Sequence, residues 1–191
     1  MIQLGMIYLG LWLVLTLPGH PDSESVKIHR FARALQPGEV IRLTFKSQQP
    51  LVHLEARVFD RWFTGYSDSA RTVWHVLLGV DLDTGPGDQD VELAGEWEGG
   101  GKFSRVYRLG IEDKAFPTRR LTLDAKYVNP PPETLERIRE ESHTTRKIFA
   151  AASGARLWSG PFVAPVSGPP NSSFGKRSIL NGQPRSPHSG T

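Results

Sequence analysis

Six histidines and no cysteine bound the chemistry open to this 191-residue chain. Without a thiol it has no disulfide framework, no cysteine-based zinc site and no sulfur nucleophile. His53 and His75 fall inside strand-like alternations and read as strand residues, while His20 and His29 flank an apolar N-terminal run. His143 stands beside Glu140 and Glu141 on a helical stretch, with no second histidine four residues on. His188 belongs to the terminal segment Pro187-His-Ser-Gly-Thr191. No HExxH helix, GxSxG elbow or phosphate-binding P-loop occurs. The acidic stretch from Asp81 to Glu92 places Asp81, Asp83 and Glu92 at positions 1, 3 and 12 of a calcium loop. Position 5 is Gly85, which has no side-chain oxygen, and position 6 is Pro86, where the sharp turn demands glycine. An ordinary hairpin turn is the better reading.

The elements that must position these residues alternate with period two. Val40–Phe45 sets Ile41, Leu43 and Phe45 on one face, and Phe31–Leu35, Leu51–Phe59, Val73–Val80, Gln89–Trp97, Lys102–Leu109 and Arg120–Ala125 follow the same rule. Gly (19) and Pro (15) supply 34 of 191 residues, well above ordinary usage, as many short strands joined by turns require. The spacing predicts a mainly β protein: an antiparallel β-sandwich over residues 25–128, immunoglobulin-like in plan. The period then changes. Leu135, Ile138, Ser142, Thr145, Phe149 and Ala152 recur every three or four residues, which predicts one connector helix over 132–153. Its seam is only partly apolar, so it should lie along a surface as a stiff connector.

Residues 154–191 are dense in Gly and Pro yet hold Leu157, Trp158, Phe162, Val163, Val166, Phe174, Ile179 and Leu180, too much apolar surface for a solvated linker. They read as the start of a second folded unit. The net charge of +3 resides here as well: Arg156, Lys176, Arg177 and Arg185 stand without an acid, leaving −1 for the rest. That distribution argues against a patterned nucleic-acid groove. At the other end, residues 1–19 carry a twelve-residue apolar core, Met6–Leu17, broken by Pro18-Gly19. It is too short to span a bilayer and matches a signal peptide or N-terminal anchor, though no Lys or Arg precedes it. The chain is therefore expected to be exported, to periplasm, envelope or exterior, meeting a membrane only through that segment.

The C-terminal segment Phe174-Gly-Lys-Arg177, Leu180-Asn-Gly182 and Pro187-His-Ser-Gly190 resembles the entrance to the catalytic domain of lysostaphin-type (LytM-like) zinc metallopeptidases. Leu78-Gly-Val-Asp-Leu82, Pro86-Gly87, the stretch 116–128 and Leu157-Trp-Ser-Gly-Pro-Phe162 are similar to phrases in the β-rich N-terminal domain and connector of envelope members of that family. The resemblance implies that His188 is the first zinc ligand and that zinc is the cofactor of the complete protein. The family's next ligand, an Asp, and its later His-x-His element have no counterpart in these 191 residues. It further implies an N-terminal fragment of an exported endopeptidase cleaving peptidoglycan peptide cross-links, with 154–191 opening the catalytic domain. A catalytic zinc takes three protein ligands and keeps one position for water, so the 191-residue chain alone is expected to be inactive. The alternative is a stand-alone exported sandwich acting as a binding or chaperone-like module without catalysis.

Overall fold

The computed structural model describes residues 26–151, 156–168 and 173–189, with the side chains of residues 126 and 127 excepted. The expected export segment, 1–19, lies outside the described residues. Eight strands make two four-stranded sheets. They are β1 (Lys27–Phe31), β2 (Val40–Lys46), β3 (Leu51–Val58), β4 (Arg61–Thr64), β5 (Tyr66–Ser67), β6 (Val73–Gly79), β7 (Gly87–Trp97) and β8 (Lys102–Ile111). Their orders are β1-β2-β6-β5 and β4-β3-β7-β8, antiparallel throughout. That is the A-B-E-D order of an immunoglobulin sandwich facing a C-F-G sheet extended by one edge strand.

One core joins the sheets because the inward positions of each strand are apolar. Ile41, Leu43 and Phe45 of β2, Leu51, Leu54 and Ala56 of β3, Trp74, Val76 and Leu78 of β6, and Val91 and Leu93 of β7 are all buried. Phe103 stacks on Phe45 at 5.4 Å and tilts against Trp97 at 4.9 Å, closing the end of the core. Glu39 is the buried charged residue of the described part, and Arg33 answers it with a forked pair of bonds at 3.1 and 2.9 Å. This hydrogen bonding, with Lys114 nearby at 3.6 Å, holds the Glu39 carboxyl below its ordinary range against the opposing effect of burial.

Three strand expectations change. The first strand is Lys27–Phe31 rather than Phe31–Leu35, because the chain turns after Phe31 so that Arg33 can reach Glu39. The hairpin β3–β4 turns on Phe59 and Asp60, both at positive φ (53° and 55°), with Val58 opposite Arg61. A two-residue turn of that kind ordinarily announces itself by Asn-Gly or Asp-Gly, so β4 carried no turn signal. The expected strand Arg120–Ala125 is β9, Thr118–Leu121, and it leaves the sandwich altogether. It forms a third sheet with β10 (Arg177–Leu180) and β11 (Gln183–Arg185), in the order β11-β10-β9. Between them run one helical turn, α1 (Ala125–Val128), and the connector helix α2 (Pro132–Ala150), which opens with proline in its first turn. No residue of α2 is buried, so it spans solvent as a connector rather than lying along a surface.

Candidate functional site

The third sheet brings the C-terminal segment against the sandwich, across nearly sixty residues of chain. Asn181 (φ 49°) and Gly182 (φ 79°) turn the β10–β11 hairpin, both in the left-handed conformation a tight hairpin demands. The Asn181 amide also ties the hairpin to the residues after β9: its Oδ1 accepts from Leu123 N at 2.8 Å, and its Nδ2 donates to Leu123 O at 2.9 Å. Arg177 reaches the sandwich, donating to Leu82 O at 3.2 Å and to Asp83 Oδ1 at 2.5 Å. Arg185 donates to Val128 O at 2.9 Å.

Two glycines make the close approach possible. Phe174 lies over Gly38, where a Cβ would meet its ring at 2.6 Å, and Phe116 lies over Gly175, where a Cβ would meet the ring at 2.1 Å. Gly175 is at φ 76°, Gly38 at φ 83°. These contacts explain why Phe174-Gly175 behaves as one unit: the ring anchors while the glycine lets another ring sit on the backbone.

His188 is held by its backbone. Its carbonyl accepts from Gly175 N at 2.7 Å, and its N–H donates to Lys176 O at 3.0 Å, which lays Pro187–Ser189 beside the start of β10. His188 is exposed and lines a groove of about 740 Å³ together with Arg119, Lys176, Ser178, Leu180 and Arg185. A second cleft of about 750 Å³ lies at the junction with the sandwich, between Gly38–Val40, Val80–Asp83 and Phe174.

The other histidines are dispersed. His53 Nε2 sits 3.2 Å from Glu55 on the surface of β3. His75 is half-buried in β6, with Nδ1 3.0 Å from Thr44 Oγ1 and its ring 5.3 Å from Tyr66. Burial first, then the charges of Arg42 and Arg156, hold His75 below its ordinary pKa. His143 is exposed on α2, and His20 lies outside the described residues. Asp81 pairs with Arg61 at 2.8 Å, Asp83 with Arg177, and Glu92 belongs to β7, so the residues of the hypothetical calcium loop are spent on ion pairs and a strand. Among the described residues no three His, Asp or Glu side chains converge as a metal-ligand group. His188 thus offers one imidazole, and the residues described do not by themselves fit a catalytic zinc. No helix among them is long and apolar enough to cross a membrane.

Trp158 packs edge-on against Tyr66 at 5.7 Å and Arg156 lies over the Tyr66 ring at 5.5 Å, so the Leu157–Phe162 phrase touches the edge strand β5. Sequence reading did not foresee the meeting of Arg119 with Lys176 and Arg185. The available signal was the period-two run Lys176, Ser178, Leu180, which marks one face of a strand. Comparison with known proteins finds no family model and no curated protein that matches the chain.

Proposed function

We propose that this chain is the N-terminal portion of an exported zinc endopeptidase of the lysostaphin type that acts on peptide cross-links of peptidoglycan. The observation supporting this reading is the backbone clamp on His188: Gly175 and Lys176 of the Phe174-Gly-Lys-Arg177 element hold the His188 backbone by two hydrogen bonds, and His188 lines an open groove. A first metal ligand needs such a fixed backbone beside accessible space. Bound zinc would supply a water acidic enough to attack a peptide carbonyl near neutral pH. In this portion His188 would be one ligand, while the sandwich and Arg177 position β10, beside whose start His188 is held. The hydrolytic step itself needs the Asp and His-x-His elements, and is assigned to the complete protein.

The coding sequence after Thr191 provides the first test: an open frame starting with Asp and later encoding His-x-His is expected. In the complete protein, His188→Ala should lower bound zinc and cell-wall cleavage together, whereas His143→Ala should leave both intact. Full zinc and full cleavage in the His188 variant would remove the site assignment. A stop codon with no such frame would leave the binding-module reading in its place.

A further inference from the structure

One face of the third sheet concentrates positive charge by register. Ser178 of β10 stands opposite Arg119 of β9 and opposite Arg185 of β11, so the three form a single row across the sheet. Neighbouring strands lie about 4.8 Å apart, which puts the two arginine backbones roughly 10 Å from each other with a hydroxyl between them. Lys176, immediately before β10, lines the same groove as these three. All four line the 740 Å³ groove, and among the described residues no acidic one lines it.

The adjacent cation shows what is unusual here. Arg177 points to the opposite face and is neutralised by Asp83. Among the described residues no carboxylate comes within ion-pair distance of Arg119, Lys176 or Arg185. The arginines are fixed rather than splayed into water: Arg119 Nε donates to Ser178 Oγ at 2.9 Å, and Arg185 Nη2 donates to Val128 O at 2.9 Å. Because Ser178 accepts from Arg119, its own proton remains to be given to a ligand.

We propose that this face is a binding site for a phosphate-class oxyanion. Three cations and a hydroxyl line one groove, Arg119 from β9, Ser178 from β10, Arg185 from β11 and Lys176 from just before β10, which suits a tetrahedral, doubly charged acceptor. A planar carboxylate is satisfied by a single bidentate arginine and leaves the others uncompensated. The site needs no metal, so it stands whether or not His188 is a zinc ligand.

Calorimetric titration of the 191-residue chain, at low ionic strength and with a chelator present, tests this with inorganic phosphate, glycerol phosphate and acetate as probes. One phosphate per chain is expected, weakened by added salt, with acetate at least about tenfold weaker. Binding of glycerol phosphate as tight as phosphate identifies a phosphate ester as the natural source; binding of phosphate alone identifies the free ion. The Arg119→Gln/Lys176→Gln double variant should lose at least about tenfold in affinity. The charge-retaining Arg119→Lys/Lys176→Arg variant should keep most of it, which separates lost charge from a disturbed hairpin. No saturable phosphate binding, equal binding of acetate, or unchanged binding in the double glutamine variant would overturn the proposal.

Discussion

Replacing Gly175 by alanine should undock the C-terminal hairpin while sparing the sandwich. Gly175 is at φ 76°, and a Cβ there would lie 2.1 Å from Phe116 Cδ1 and 2.2 Å from Cε1. Holding an alanine in the left-handed region costs about 1–2 kcal/mol. Relieving the overlap by moving Phe116 or the backbone adds about 1–3 kcal/mol. The sum of about 2–5 kcal/mol falls on a segment secured by four β9–β10 residue pairs, the Asn181 clamp and the Arg177 and Arg185 bonds. Hydrogen exchange of the Ser178–Leu180 amides should therefore accelerate by about thirtyfold to several thousandfold, since about 1.4 kcal/mol is a factor of ten. Amides of Leu54 and Val76, in the core strands, should keep their protection. Adding Phe116→Ala should recover the steric part but not the backbone part. Unchanged protection in β10 would refute the close-approach reasoning, and an equal loss at Leu54 would show that the sandwich depends on the hairpin.

Leu54→Ala, at a fully buried β3 position, should cost about 2–5 kcal/mol in urea unfolding of the sandwich, by lost burial plus a cavity; a cost below about 1 kcal/mol would mean that the two sheets do not share one tight core. Asn181→Ala removes both bonds to Leu123 and places alanine at φ 49°, so β10 exchange should rise while the sandwich melt stays put. For His75 the pH dependence has a definite sign. Its folded pKa lies below the unfolded value of about 6.5, so the unfolded state binds more protons in the window just below that pH. Its contribution is fully present above about 6.5 and is lost as pH falls from there towards the folded pKa. The melting temperature of wild type should consequently fall more steeply over that acid window than that of His75→Gln; parallel curves would show that His75 titrates normally.

Much of the β architecture was legible in the chain because inward and outward positions alternate in Val40–Lys46, Leu54–Val58 and Val73–Gly79, with a register shift between Leu51 and His53 interrupting the start of β3, and a single-residue slip would turn each apolar set to solvent. The helix was legible too, through its change of period and its opening proline, although its exposure was not. An incomplete apolar seam tells that a partner surface is small, and only the fold shows that here no side chain of α2 is buried. Hairpin β3–β4 escaped notice because Phe59 and Asp60 adopt positive φ under tertiary constraint, without the glycine that marks such turns locally.

By itself the sequence determined the main sandwich strands β2, β3, β6, β7 and β8, the glycine at position 175 and the proximity of His188 to a Gly-Lys-Arg element in the chain. It could not determine that β9 abandons the sandwich to pair in parallel with β10, since that pairing joins Thr118 to Arg177 and leaves no local pattern. Tertiary structure alone decided which cations meet. Arg119 and Arg185 become neighbours only through Ser178, whereas Arg177, adjacent to Ser178 in sequence, is turned to the other face and neutralised by Asp83. The physical reason is the two-residue repeat of the strand: it separates chain neighbours to opposite faces, and hydrogen-bonded register then gathers distant residues onto one.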